Sequence, residues 1–295
     1  MKKTWLLFLC SALTSLSVCA AEEANQTNLF GSGKLNLTGL IPNIDGAAGG
    51  GITHSAIIGG YGTEDQVGAA FNYSQTSLSD FELKTTAVSV GLFNRVELSF
   101  SESEFDTQKV GAALGLGENY TFENTSINLK VNIFGDAILE QDTWLPQVSI
   151  GASKKESDNA NVLALIGATK SEDTETFIAA SKLFLDHSFL VNVSARNTRA
   201  NQNGILGFGG DQNSKKKWYL EGSLAYLLAD NLAVGIEMKQ NPDNLGFARQ
   251  DHWRDIFLLY NPSKHVSLTV AYVDLGEVAL QEDQSGLYTS LTLQF

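Results

Sequence analysis

After its first twenty residues, most of this chain alternates apolar and polar side chains one for one. In residues 232–240, Leu232, Val234, Ile236 and Met238 fall on one side, with Gly235, Glu237 and Lys239 on the other. In 189–198, Val191, Val193 and Ala195 oppose Asn192, Ser194, Arg196 and Thr198. In 126–137, Leu129, Val131 and Ile133 oppose Lys130, Asn132 and Asp136, and in 96–103 Val96, Leu98 and Phe100 oppose Glu97 and Ser99. Residues 286–295 put Leu287, Leu291, Leu293 and Phe295 on a face whose one polar member is Thr289; Tyr288, Ser290, Thr292 and Gln294 make the other face. Successive strand side chains point to opposite sides, so a period of two predicts strands with one apolar and one polar face. No segment beyond the first twenty residues holds a 3.6 period with caps at both ends; residues 107–116 come closest, and glycines spoil them.

The connections between these segments decide how they associate. Short polar turns fall at 62–66, 93–95, 186–188, 229–231 and 261–265, and longer polar stretches at 76–82, 199–216, 241–252 and 276–285. Short turns on one side and long loops on the other are what an up-and-down barrel requires. Counting back from the C-terminus gives candidate strands at 33–40, 54–62, 67–75, 84–92, 96–103, 108–116, 126–137, 147–154, 161–170, 176–185, 189–198, 218–228, 232–240, 254–260, 266–275 and 286–295. The expectation is an all-β, transmembrane, up-and-down antiparallel β-barrel of about 14–16 strands over residues 33–295. Two connections break the parity: 171–175 is short for an outer loop, and 117–125 is long for an inner turn. The same scheme puts Trp144, Trp218 and Trp253 at the outer membrane boundary.

The first residues read as a secretory leader. Lys2 and Lys3 precede an apolar run from Trp5 to Val18, and Val18-Cys19-Ala20 suits cleavage after Ala20, leaving 21–32 as a periplasmic segment. Leu16-Ser17-Val18-Cys19 also resembles a lipid-attachment box, though Val18 is large for its position. Both cysteines, Cys10 and Cys19, lie in this leader, so a processed chain has no disulfide, thiolate metal site or cysteine nucleophile. Loss of the two lysines takes the formal charge from -13 to -15, and the basic run Lys215-Lys216-Lys217 is isolated, which argues against a nucleic-acid partner. A mean hydropathy of -0.06 suits a barrel whose lipid-facing residues are diluted by lumen and loop residues.

Two resemblances extend this. A closing strand that ends in Phe295, with Leu291 and Leu293 on the same face, resembles the last strand of Gram-negative outer-membrane barrels, where that ending is an assembly signal. The phrases Asp45-Gly46-Ala47-Ala48-Gly49-Gly50-Gly51, Gly60-Tyr61-Gly62-Thr63, Arg95-Val96-Glu97-Leu98-Ser99, Asp142-Thr143-Trp144-Leu145-Pro146-Gln147, residues 200–211 and Ala271-Tyr272-Val273-Asp274-Leu275-Gly276 together resemble a proteobacterial outer-membrane family known as a domain of unknown function. That resemblance implies a barrel in the outer membrane and brings no catalytic residue with it. The expected location is the Gram-negative outer membrane with both termini periplasmic. Membrane lipid and the barrel-assembly machinery are the expected partners, and oligomeric state stays open.

Chemistry is sparse. His187, His252 and His265 fall in turns or at strand ends, and His54 follows a glycine-rich stretch beside Ser55. No histidine shares a strand face with a serine two residues away, so an enzyme is not expected; cross-strand pairing keeps a barrel hydrolase as the third reading. Gly46–Gly51 lacks the Gly-Lys-Ser/Thr ending and following helix of a phosphate loop, and Asp251, His252 and Asp255 read as solvated loop groups, so no metal or cofactor is expected. Glu97, Lys130, Asp136, Lys182, Arg196, Glu221, Glu237 and Lys239 occupy polar faces and are the lumen candidates. In an open pore they would tune ion preference; in a narrow one they would brace the wall. The stretch Gly204-Ile205-Leu206-Gly207-Phe208 is apolar for a water-exposed loop, and Gly204, Ile205, Leu206 and Phe208 are expected to fold into the barrel mouth as a constriction. The leading expectation is a passive channel for small hydrophilic solutes, with a non-conducting structural or partner-binding barrel as the alternative.

Overall fold

The structure, a computed structural model, describes residues 29–295. The expected leader, its cysteines and residues 21–28 lie outside the described residues. One short antiparallel pair, β1 (Ile41–Pro42) and β2 (Ala48–Gly49), precedes twelve long strands. These are β3 (Val67–Leu78), β4 (Glu82–Leu92), β5 (Val96–Asp106), β6 (Thr121–Phe134), β7 (Gln147–Ser157), β8 (Glu172–Phe184), β9 (Phe189–Thr198), β10 (Lys217–Ala229), β11 (Leu232–Lys239), β12 (Trp253–Ser263), β13 (Val266–Val278) and β14 (Gln281–Gln294). Each pairs antiparallel with the next, and β14 closes on β3 from Gly286↔Leu78 to Gln294↔Ala70. The closed up-and-down barrel expected from the alternation is therefore present, with twelve strands and not 14–16.

The four surplus candidates failed for two physical reasons. Residues 108–116 and 161–170 contain short helices, α1 (Gln108–Ala113) and α2 (Ala160–Leu165). Val110 and Leu163 bury themselves in an apolar cluster with Phe81, Phe105, Ile205 and Leu245, so their apolar residues cover one end of the barrel and do not face lipid. Moving α1 and α2 into loops also removes both parity exceptions. Connections 107–120, 158–171, 199–216 and 240–252 all lie at one end, called here the loop end. Turns 93–95, 185–188, 230–231 and 264–265, with the longer 135–146, lie at the other. The other two lost candidates, 33–40 and 54–62, run inside the barrel. Ala56, Ile57 and Ile58 are buried in succession, which a two-faced wall strand does not allow. The barrel wall thus begins at Val67 and not at residue 33.

Leu98, Ile127, Val193, Leu220, Ile236, Ile256, Val270 and Leu287 all point outward and are exposed, forming the apolar band that lipid requires. Leu291, Leu293 and Phe295 lie on this outer face, and the Phe295 ring stacks on His265 at 5.7 Å. The expected placing of the three tryptophans needs correction. Trp218 is outward at the loop end, but Trp144, 85% exposed, belongs to the 135–146 connection at the turn end, where it meets Phe184. Trp253 is 3% exposed and points into the lumen, because it pairs with Lys239 on the inner face and lies beneath its ammonium at 5.5 Å.

Candidate functional site

The lumen is filled by the chain's own residues 34–62. This plug enters and leaves at the turn end, where Lys34 N donates to Tyr61 O at 3.2 Å, while Tyr61 N and Ala69 N both donate to Phe295 O at 3.0 Å. Apart from β1–β2 and one Gly49↔His54 bridge it has no regular pairing, so its buried backbone groups need other partners. Side chains on the inner wall supply them. Glu97 accepts from Ala48 N and Gly59 N, each at 2.8 Å. Glu237 accepts from Gly51 N at 2.6 Å, Ile52 N at 3.1 Å and the Thr53 hydroxyl. Lys130 donates to Ala48 O at 3.0 Å and Ile57 O at 2.8 Å while holding Glu97 at 2.9 Å. Gln147 donates to Ala56 O at 2.7 Å and Gln294 to Leu40 O at 2.6 Å. Glycine is required where the approach is closest: a Cβ on Gly50 would sit 1.7 Å from Glu237 Oε1. Gly46 has φ +89, and its Cβ would meet Phe100 O at 2.8 Å. At the turn end Lys34 donates to Ile58 O at 2.6 Å and Gly60 O at 3.2 Å. Burial pushes its ammonium down to about 8, opposed by the charges of Asp136 and Glu97.

On the β5–β9 side the plug joins an ion network that reaches onto β10 and β11 through Glu221 and Lys239. Arg196 holds Glu221 at 2.8 Å and Glu175 at 3.1 Å. Lys155 holds Glu175 at 2.7 Å and the plug's Asp45 at 2.8 Å. The imidazole of His54 sits between Glu221 (Nδ1, 3.0 Å) and Asp45 (Nε2, 3.4 Å), with the Phe177 ring at 4.3 Å. Lys239 completes the group, 3.8 Å from Glu221 and 2.9 Å from Asn203. Three carboxylates thus face one guanidinium and two lysine side chains, all out of water. Asp45, His54 and Glu175 bring one ligand-type atom each within 4.8 Å of one another, but Lys155 already bridges the two carboxylates, so the cationic position is taken by the chain itself. Among the described residues no hydroxyl hydrogen-bonds either ring nitrogen of His54.

Loop 199–216 folds inward over this network. Ile205 and Leu206 enter the loop-end cluster, Phe208 is buried beside Lys170 and Ala200, and Asn203 reaches down to Asp45 at 2.6 Å. Gln202 and Asn203 take left-handed backbone angles (φ 44 and 60) to turn the chain into the barrel.

Of the lumen candidates, Glu97, Lys130, Arg196, Glu221, Glu237 and Lys239 line the lumen and are buried. Asp136 does not; it lies past the end of β6 at the turn end, where it binds Asn94 and the amides of Ile138 and Leu139. Lys182 does not either; it shares the outward side of β8 with Ile178 and Ala180, and its ammonium is capped by Glu140 O. Alternation fails there because a buried connection covers the strand end. Asp45, His54, Lys155 and Glu175 were not legible as lumen groups. Two lie in the plug, and Lys155 and Glu175 each lie one residue beyond the strand ends read from the sequence. Asp251, His252 and Asp255 do not converge: Asp255 points into the lumen, whereas Asp251 accepts from Glu277 N and His252 from Asn241 N.

The β10–β14 side differs. Ala225, Leu227, Phe257, Leu259, Ala271, Val273 and Tyr288 face inward here, leaving a cavity of about 110 Å³ between wall and plug. Glu237 and Asp255 are its acidic groups.

A family model described as a protein of unknown function (DUF3034) matches residues 38–292. The chain belongs to this family. The match spans plug and wall together, so the family shares the region that fills the lumen. A search of curated proteins found no match. Among solved structures, the KdgM porin is similar with a TM-score of 0.50 at 11% identity, covering 77% of this chain and 99% of that one. The NanC porin gives 0.46 at 11% identity, over 77% and 98%. Outer membrane phospholipase A from Escherichia coli gives 0.41 at 11%, over 80% and 94%. At this identity the likeness is one of fold: an outer-membrane β-barrel.

Proposed function

We propose that this protein is an outer-membrane barrel held shut by its own N-terminal segment, non-conducting to hydrophilic solutes in this state and without a catalytic step. The observation that carries the reading is the anchoring of residues 48–59 by Glu97, Glu237, Glu221 and Lys130, which turn the lumen face into a socket for one particular backbone. The inward loop with Ile205, Leu206 and Phe208 closes the loop end above it. The turn end, with Phe295 and the plug's base, faces the periplasm, and the outward Leu291, Leu293 and Phe295 are the face offered to lipid and to the assembly machinery.

A second reading, a gated passive channel for small hydrophilic solutes, draws on one observation. The plug enters and leaves at the same end, so it can withdraw without threading the wall. Planar-bilayer conductance tests both. The refolded full chain is expected to be silent, and a variant with residues 41–58 replaced by a short Gly-Ser link is expected to conduct. Steady conductance by the unaltered chain would overturn the closed-barrel reading in favour of the channel.

A further inference from the structure

The wall opposite the ion network is built differently from a socket. β12 turns Phe257 and Leu259 inward, and β13 turns Ala271, Val273 and Leu275 inward, positions where the β5–β9 side carries serine, asparagine, lysine and glutamate. The plug answers with Ile41, Ile44 and Ile52; Ile44 and Ile52 join the cluster of Ala271, Val273 and Leu275, and a gap remains beside them. The cavity left between them follows β12 from Trp253 to Leu259, six residues or about 20 Å at roughly 3.3 Å per residue. Its volume of about 110 Å³ is somewhat below that of an apolar cavity of about 150 Å³ that accepts a benzene ring. A long, narrow, apolar space of this size suits a slender chain better than a compact ring, and a dry one loses dispersion contacts along its whole length.

The cavity also holds polar atoms that nothing in the chain satisfies. Asp255 Oδ1, Thr269 Oγ1 and Trp253 Nε1 are buried, line the cavity and have no hydrogen-bond partner. A buried polar atom left unpaired is costly, and in native proteins such an atom calls for an explanation. Beside Asp255 stands Glu237, whose oxygens are committed to the plug's amides, to Thr53 and to a hydrogen bond shared with Asp255, so that Asp255 Oδ1 is the acceptor left over. The ammonium of Lys239, on the same strand as Glu237, is turned to Asn203 and Glu221. The acidic pair therefore lacks a donor on the cavity side.

We propose that this half of the lumen is a binding site for a slender amphiphile, an apolar chain carrying a hydrogen-bond donor such as a hydroxyl. The chain lies along Phe257, Leu259, Ala271 and Val273, and the donor meets Asp255. A free carboxylate in place of the donor is disfavoured, because it would bring a third acid beside Glu237 and Asp255. The proposal rests on the closed-barrel reading only in that the plug forms one side of the cavity.

The test uses the full chain in lipid nanodiscs with Trp144→Phe and Trp218→Phe. Trp253 is then the one tryptophan among the described residues, and it lines the site. Bromo-octanol is expected to quench it saturably, and bromo-octanoate to bind at least about tenfold more weakly, the equivalent of one hydrogen bond. Asp255→Asn is expected to narrow that gap. Ala271→Phe, which fills the cavity, is expected to abolish the saturable phase; Ala225→Phe, from another strand, serves if the first variant fails to give a heat-modifiable barrel. Quenching that rises linearly and is unchanged in the filled variants is partition into lipid, and overturns the site. Equal binding of alcohol and acid overturns the donor requirement. A barrel that conducts yet shows saturable, Ala271→Phe-sensitive quenching overturns the closed reading and leaves the site standing.

Discussion

The two sides of the lumen enclose the same plug and hold it by opposite means. On the β5–β9 side every charged group has at least one partner, and Arg196 alone touches two carboxylates from neighbouring strands. On the β10–β14 side, beyond Glu221, Glu237 and Lys239 on β10 and β11, the wall is largely apolar, the plug's isoleucines line a gap, and Asp255 keeps an unpaired oxygen. The first side fixes position. Buried ions and amides bind only when geometry is met, so one register of the plug is accepted and slipped ones are not. The second side holds the plug chiefly through Glu237 at its edge and otherwise leaves space. The plug is fastened along one flank and slack along the other, which is how a closed barrel can still present a cavity.

The largest effect should come from breaking the fastened flank. Arg196→Met takes the shared guanidinium from Glu175 and Glu221 in a water-free site, leaving them to Lys155, His54 and Lys239, and loss of one partner from a buried pair costs about 3–5 kcal/mol. The expected outcome is a fall in the heat-modifiability midpoint on gels. An unchanged midpoint would show that the network does not hold the barrel. Glu237→Ala should come next. It leaves the Gly51 and Ile52 amides without acceptors, at about 1–3 kcal/mol each, and should make residues 50–53 exchange amide hydrogens faster than in the parent. Protection retained at these amides would refute the socket.

A matched pair of substitutions sharpens the contrast. Ser181→Leu puts a large apolar group where a hydroxyl binds Ala56 N and Asn192, and overpacking there should cost about 1–3 kcal/mol. Ala225→Leu, on the slack flank, should cost less than about 1 kcal/mol because the cavity accepts it. Equal costs would mean that the gap is not real space. The last effect concerns pH. Lys34 falls from 10.5 to about 8 on burial, so between those values the docked plug binds fewer protons than the undocked one. Docking should therefore strengthen as pH rises through this window, by at most about tenfold per pH unit, and be flat below it. Limited proteolysis of residues 29–62 at pH 7 and pH 10 reads this, and Lys34→Met should remove the slope.

Much of the wall was legible from alternation. The faces read for β9, β11 and β14 are the faces observed, because lipid on one side and a polar lumen on the other impose a period of two that local sequence records. Arg196, Glu221, Glu237 and Lys239 followed from the same rule. The rule failed where a segment faces neither lipid nor water. Residues 54–62 were read as a strand, yet Ala56-Ile57-Ile58 breaks alternation, and the glycines of 46–51 and 59–62 exceed what a wall strand carries. Those were the available signs.

What the sequence determined by itself is the two-faced strand and the closed wall, since each strand's faces and turns are local. Whether the lumen is open was decided only in three dimensions. The amides of Ala48, Gly51 and His54 are satisfied by Glu97, Glu237 and Glu221, which lie 49, 186 and 167 residues away. A buried backbone needs a partner but does not specify which, so the pairing of plug with socket, and the cavity left on the other flank, exist only once the barrel has closed around both.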